Sequence, residues 1–466
     1  RETTNFMDEI IDQALSILKR KRIDGHEVYL LQSSHFEVES KEGKIETLQT
    51  SQYSGMAFRV LRRQRMGFSY ATFSGASPSA GQILSRELER VIDDAVGSAE
   101  ATSADPCFDF APSLKASPSR LPIFDETLEK ISEKVKIEKA KCLEASVRSV
   151  SEKIRKVRKA SYEEVLSRTT LANSNGFRFS YDHSLVSVNV TAVAEESGDS
   201  EVGWDFDFSH FFNDLDAESV GRSAGRKALE RLGGKRIPTG VYPVLIRNDV
   251  ASEFLSLVAH SFLAEQVQKG KSPLKGKRGE KFFSSLLTIA DDGLYSKGAS
   301  TAPIDGEGSL CQRTPLVTQG VVDGYLYDRY WANRENQSSS GLHVGSTGNS
   351  RRHGIKSPPG VGTSNFFIEP GALDFPNLMG ALFQGVVVDE VMGLHTVDPI
   401  SGDFSLGCSG DWVERGKKVH PVKSIAIAGN LFELFRNVTG VGVDLRFLGG
   451  VGSPSLLLKE MLISGN

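Results

Sequence analysis

A histidine and two carboxylates fall within nine residues at His395, Asp398 and Asp403. An imidazole that can pass a proton, beside carboxylates that orient it or bind a cation, forms the parts of an acid–base or metal site. The segment Pro399-Ile400-Ser401-Gly402 supplies a turn that would bring the three together. The same residues have a structural use, with Asp398 opening a proline-containing turn and Asp403 anchoring it. Upstream, Asp305 and Glu307 flank Gly306. Paired acids in a loop can hold a cation or a peptide amine, or simply stand exposed in a turn, with Arg313 in reach to pair with one of them. Ser401 and Ser405 lie near His395, but no G-x-S-x-G elbow accompanies them. Cys408, between Gly407 and Ser409, reads as a small buried residue. Gly348-Asn349-Ser350-Arg351-Arg352 lacks the lysine of a phosphate-binding loop and reads as a turn. No H-E-x-x-H or H-x-x-x-H spacing occurs anywhere.

The elements that must carry these residues follow from apolar spacing. Phe6, Ile10, Ile11, Ala14, Leu15 and Leu18 predict a helix over 5–22. Strands are expected from Glu27 to Phe73, with turns at Glu42-Gly43 and Gln64–Gly67. Ile83, Leu84, Leu88, Val91, Ile92 and Ala95 mark a second helix. The prolines at 106, 112 and 118 predict a long connection. The order then recurs: a helix over 125–149, strands over 154–208 with a hairpin turn at Asn175-Gly176, and a helix over 216–232 ending at Gly233-Gly234. Met66–Ser74 also resembles Val202–Ser209, which points to an internal duplication of units 5–99 and 125–232. Beyond Ile237-Pro238 a strand is expected at Val241–Ile246. A helix should follow from Asp249, its N-cap, to about Gln268, and after it short apolar runs alternate with glycine turns. The fold class expected is α+β: an N-terminal α+β domain over 1–235 and a mainly β domain over 236–466.

Length alone requires more than one core in a chain of 466 residues. A net charge of -4 offers no footprint for duplex DNA, and the basic loop from Lys271 to Arg278 reads as solvated. Four dispersed cysteines with no C-x-x-C pair make neither a disulfide framework nor a zinc ribbon and suit a reducing, cytoplasmic setting. No apolar run reaches the length of a membrane span.

Several long motifs occur in order in the second half: Ala302-Pro303-Ile304-Asp305-Gly306-Glu307-Gly308, Ser346–Arg352, Ser364–Gly371, and Gly393–Ser405 continuing through Gly407-Cys408-Ser409-Gly410 to Trp412–Lys417. With them the chain resembles the TldD/PmbA family, often labelled modulators of DNA gyrase, from about residue 30 to its C-terminus. The resemblance implies a two-domain α+β fold and a heterodimer of a TldD-type with a PmbA/TldE-type subunit enclosing a chamber. It also implies that the TldD-type subunit is a zinc peptidase acting on small or unfolded peptides, so the gyrase label would be indirect. The TldD-type signature is H-E-x-x-x-H on a helix with a later cysteine ligand. Here the corresponding helix reads Leu255-Ser256-Leu257-Val258-Ala259-His260, and Asp444 stands where the cysteine would be. Leucine cannot bind metal and serine cannot act as the carboxylate base. The resemblance therefore implies a PmbA/TldE-type pseudoenzyme with no catalytic residues and no metal of its own, zinc being held by a TldD-type partner. The family carries the His395–Asp403 motif in both subunit types, so His395, Asp398 and Asp403, like Asp305, Glu307 and Arg313, would be chamber or scaffold residues. Two other readings stay open: a self-sufficient homodimeric peptidase using ligands such as His260 or His395, and a regulator of DNA gyrase.

Overall fold

The computed structural model describes residues 2–73, 81–115, 117–118, 120–338, 343–398 and 400–465, with side chains from residue 8 and, after the gap, from residue 86. Two expected features, Ser74 at the end of the repeated segment and Pro399 in the histidine turn, lie outside the described residues, as do the side chains of Phe6, Ile83 and Leu84.

The first half runs α1 (Glu2–Arg20), β1 (Gly25–Lys41), β2 (Lys44–Arg62), β3 (Arg65–Phe73), α2 (Gly81–Glu100), α3 (Glu133–Arg148), β4 (Ile154–Asn173), β5 (Arg178–Glu196), β6 (Asp199–Ser209) and α4 (Ala217–Glu230). Its six strands form one antiparallel sheet in the order β3-β2-β1-β4-β5-β6. Side chains alternate across a strand, and that period sets the layers. Val28 and Leu30 of β1, with Met56, Phe58 and Val60 of β2, pack under α1 and α2. Val186, Val188, Val190 and Ala192 of β5 pack under α3 and α4. The intervening residues, including Glu27, Tyr29, Ala57 and Arg59, face the other way, where Tyr29 and Ala57 meet Ile304 and Ile355 of the second half. Two glycines let the outer helices close on the outer strands. A Cβ on Gly67 would stand 2.0 Å from the Ala95 carbonyl of α2, and one on Gly203 would stand 2.3 Å from the Ala224 carbonyl of α4.

Three expected boundaries move. The β2–β3 turn falls at Arg63-Gln64, both with positive φ (53° and 61°), as a tight two-residue hairpin requires, so Met66 and Gly67 belong to β3 rather than to the turn. The helix expected from 125 starts at Glu133, because the Asp125 carboxylate accepts from the backbone of Thr127 and Phe212 and holds the chain in a turn. The helix expected to run to Gln268 breaks at His260, and its N-cap is Arg247 rather than Asp249, which lies in the first turn and meets Lys227 at 3.3 Å.

The second half comprises β7 (Gly240–Ile246), α5 (Asn248–Ala259), α6 (Ala264–Gln268), β8 (Ile289–Asp292), β9 (Arg313–Thr318), β10 (Val321–Val322), α7 (Arg329–Ser338), β11 (Ser350–Arg351), β12 (Gly360–Val361), β13 (Phe366–Ile368), α8 (Phe375–Leu382), β14 (Gln384–Met392), β15 (Asp403–Glu414), β16 (Lys417–Asn430), α9 (Leu431–Arg436), β17 (Val438–Val441), β18 (Arg446–Leu448), β19 (Val451–Ser453) and β20 (Leu456–Ser464). Strands β16-β15-β14-β7-β20 are paired in order, and a β16–β20 pairing closes them into a five-stranded barrel. A second, open sheet runs β10-β9-β8-β13-β19-β18. One continuous core joins barrel, sheet and α5. The class is thus α+β, with strands dominating the second half. Among the described residues no helix is long and apolar enough to cross a membrane, and the four cysteines are free.

Candidate functional site

Helix α5 carries the positions where the sequence places a degenerate metal motif. Leu255 is completely buried among the apolar residues that join α5 to the barrel. Ser256 is exposed, and its hydroxyl donates to the Glu253 carbonyl at 2.6 Å. His260 is exposed where α5 gives way to a 3-10 turn. Asp444 accepts from the backbone N–H and hydroxyl of Ser455 and from Asn248 Nδ2, at the opposite end of α5. At about 1.5 Å per residue the length of the helix, roughly 18 Å, separates that end from His260. A zinc ion needs three or four nitrogen, sulfur or oxygen ligands about 2.0–2.3 Å away. The residues at 255, 256, 260 and 444 do not fit one. Outside this motif, Glu253 is pushed up to about 7 by burial, with Asp249 and Glu390 adding to the shift. Among the described residues no three metal-ligating side chains converge.

His395, Asp398 and Asp403 do not come together. All three are exposed and none hydrogen-bonds another. Asp398 Oδ1 accepts from the Ile400 N–H at 2.8 Å, and Asp403 Oδ1 accepts from Asn430 Nδ2 at 2.9 Å.

The acidic pair at 305 and 307 lies elsewhere than an exposed turn. Each residue is only 4% exposed, because the loop inserts between the N-terminal sheet and the second half. Asp305 accepts the N–H groups of Glu307, Ser309 and Ser350 and thereby shapes the loop. Glu307 Oε1 accepts from Arg59 Nη1 at 2.9 Å, and its Oε2 accepts from the Arg329 N–H at 3.2 Å. Arg59 grips Glu27 with two parallel bonds, 2.8 and 2.7 Å, the fork geometry that makes arginine–carboxylate pairs strong. Arg352 also pairs with Glu27 and donates to the Gly306 carbonyl at 2.6 Å. Arg313, the expected partner, pairs instead with Glu369 on the exposed side of β9. Burial works against the charge on Arg59, yet Glu27 and Glu307 hold its pKa above the ordinary value. Burial and the nearby Glu307 push both Asp305 and Asp328 up to about 7.

Next to this network the two halves leave a cavity of about 500 Å³. It is lined by the charged residues Arg59, Asp109, Glu265, Glu307 and Asp328 and by Met66, Phe68, Phe108, Tyr330 and Trp331, among others. Sequence reasoning missed Glu27, Arg59, Asp328 and Arg352. The first two left a signal, since each is a charge set among the apolar residues of a strand, in His26-Glu27-Val28-Tyr29-Leu30 and Ala57-Phe58-Arg59-Val60. Their direct pairing across β1 and β2 is a matter of register and becomes visible only in the sheet.

Three profiles of one family match in order along the chain: PmbA/TldA metallopeptidase domain 1 at residues 26–99, its central domain at 126–232 and its C-terminal domain at 239–465. The chain belongs to the PmbA/TldD metallopeptidase family. Metalloprotease PmbA of Escherichia coli is 27% identical over 99% of this chain and 96% of its own length. A metalloprotease TldD homologue of Haemophilus influenzae is 24% identical over 99% of this chain and 97% of its own length, so relatives named PmbA and TldD both resemble it. Among solved structures, a proposed modulator of a DNA gyrase from Thermotoga maritima superposes with a TM-score of 0.88 at 25% identity, covering 98% of this chain and all of the other. TldE from Thermococcus kodakarensis has the same fold, with a TM-score of 0.86 at 20% identity over 98% of this chain and all of its own.

Proposed function

We propose that this chain is a PmbA/TldE-type, non-catalytic subunit of a zinc metallopeptidase whose metal is held by a TldD-type partner, and that the pair acts on small or unfolded peptides. The observation that carries this reading is the chemistry of α5. At the positions that a TldD-type helix gives to a ligand and a general base, this chain has a leucine sealed in the core and an exposed serine already bonded to its own helix. Neither can hold a metal or take a proton from water. The chain would then complete the peptide chamber and present side chains and strand edges to an extended substrate. His395, Asp398, Asp403 and Arg313 serve as scaffold or chamber wall in this account, and Asp305 with Glu307 fixes how the two halves meet.

The test is peptide cleavage by the purified chain, alone and mixed with a TldD-type subunit of the same organism. Cleavage in the mixture and none by either chain alone supports the partner role. Cleavage by this chain alone, abolished by His260→Ala or His395→Ala, overturns it.

A further inference from the structure

The charge network at Arg59 is not the only tie across the seam. His210 follows directly on β6 and is 3% exposed. Its Nδ1 lies 2.7 Å from the Ser184 carbonyl oxygen of β5, and its Nε2 lies 3.2 Å from the Gly298 carbonyl oxygen of the second half. Ser184 also fixes the residue from behind, since its hydroxyl donates to the His210 carbonyl at 2.8 Å. Gly298 is held just as closely. A Cβ there would stand 2.2 Å from the Asn365 side chain, whose Oδ1 accepts the Ser300 N–H and whose Nδ2 donates to the Asp292 carbonyl. Both partners of the ring are therefore placed by their own surroundings.

A carbonyl oxygen can only accept. A neutral imidazole has one N–H and one lone pair, and only the imidazolium has two N–H groups. Between two carbonyls the neutral ring satisfies one and turns its lone pair on the other, whereas the cation donates to both. Hydrogen bonds to the charged form favour that form. The titratable groups on the elements packed around the ring are His183 on β5, Asp207 on β6, Asp214 in the turn after it, Asp125 before α3, and Tyr295 and Lys297 beside Gly298. The His183 ring stands edge-on at 5.0 Å. Its pKa is lowered to about 4, by burial first and by His210 second, so of the two rings His183 is the neutral one. Among the described residues no carboxylate bonds to the His210 ring. Asp125 accepts from Thr127 and Phe212, Asp207 from the Phe208 N–H, and Asp214 from Ser209.

We propose that His210 is a proton-dependent clasp between the two halves: the imidazolium ties the loop 293–302 to the N-terminal sheet, and loss of the Nε2 proton to solvent releases it. The longer contact is the one that breaks, because Nδ1 keeps its proton on the Ser184 carbonyl. The loop leads into the buried turn of Asp305 and Glu307, so the clasp acts on the part of the second half that meets Arg59. The inference does not rest on the partner role or on where zinc is bound.

The test takes two readings on the full-length chain. Nitrogen NMR of the chain labelled at its histidines reads the charge on each ring nitrogen across pH. The His210 signals are identified by their loss in His210→Gln or by their shift in His183→Gln. Hydrogen–deuterium exchange, corrected for its intrinsic dependence on pH, reads the amides of 293–302. A contact made by the charged ring is present on the acid side and lost as pH rises. The expected result is that both His210 nitrogens carry protons at the acid end and that Nε2 alone loses its proton. Protection of the loop then falls about tenfold with the same midpoint, as loss of one charge-assisted hydrogen bond dictates. His210→Gln, which carries no titrating proton, should abolish that step. A neutral His210 ring at every pH at which the chain is folded overturns the proposal. So does loop protection that changes with a midpoint other than the ring's, or a step that survives in His210→Gln. Where that variant fails to fold, the two midpoints of the wild type decide.

Discussion

Replacing Leu255 with histidine introduces the residue that the proposed role assigns to a TldD-type helix at this position, and tests whether this part of α5 is a latent site or plain core. Leu255 is completely buried within the cluster that joins α5, the barrel and the open sheet. Removing a fully buried leucine forfeits about 1.5–3 kcal/mol of apolar burial. An imidazole left there without a partner costs about 1–3 kcal/mol more. The sum is about 2.5–6 kcal/mol, which at about 2–4 °C per kcal/mol for a unit of this size lowers the melting temperature by roughly 5–20 °C. Differential scanning calorimetry of the wild type and Leu255→His measures the drop directly. Adding zinc to the double variant Leu255→His, Ser256→Glu should recover little of it, because Ser256 and His260 lie on the exposed side of the helix while position 255 faces inward. An unchanged melting temperature for the single variant, or a zinc-dependent rise of several degrees for the double variant, would refute the reasoning.

Arg59→Met leaves Glu307 without a guanidinium at the seam and Glu27 with Arg352 alone. It should cost about 3–5 kcal/mol, as removing one member of a buried ion network does, read as a lower midpoint in urea; an unchanged midpoint contradicts the assigned network. Gly203→Ala drives a Cβ into the Ala224 carbonyl and should destabilise by about 1–3 kcal/mol. Gly97→Ala lies in α2 with open space around it, and should stabilise by about 1 kcal/mol; thermal melts of the pair must move in opposite directions. Asp389, Asp305, Asp328 and Glu253 are all pushed up to about 7 by burial. A carboxyl whose pKa is raised on folding contributes stability on the acid side that is lost as pH rises through the folded value. His183, lowered to about 4 by burial, acts oppositely and only as pH falls below its ordinary range. The melting temperature should therefore fall between about pH 4.5 and pH 7 and level off above that, four acids outweighing the single opposing histidine, and Asp389→Asn should flatten that slope; a flat wild-type profile contradicts the burial assigned to these acids.

Much of the architecture was legible because it rests on local periodicity. The helices of the first half, its long strands, the Glu42-Gly43 and Asn175-Gly176 turns and the strand at 240–246 all announce themselves in apolar spacing and turn residues. We take the paired glycines Gly67 and Gly203, each seating a helix on an edge strand, as the trace of a duplication. Barrel closure was not legible, since the β16–β20 pairing joins segments separated by a helix and three strands. The break at His260 was also hidden, because Leu263 and Val267 continue an apolar pattern that both one helix and two can satisfy. The acids at 305 and 307 show the sharpest limit. A D-G-E loop reads as surface, and only the insertion of that loop between the N-terminal sheet and the second half, with Arg59 arriving from a distant strand, makes it interior. The reading of α5, by contrast, rests on side-chain type alone, since a leucine cannot ligate a metal in any fold.

The proposed role requires that this chain supply no zinc ligands to the complex it would form with a TldD-type subunit. Elemental analysis of the purified complex with a TldD-type subunit, after each chain has been prepared and quantified separately, tests this most directly. The account predicts zinc in equimolar amount to the TldD-type chain and none above background in this chain alone. Zinc in equimolar amount to this chain, lost on His260→Ala with the fold retained, would contradict it.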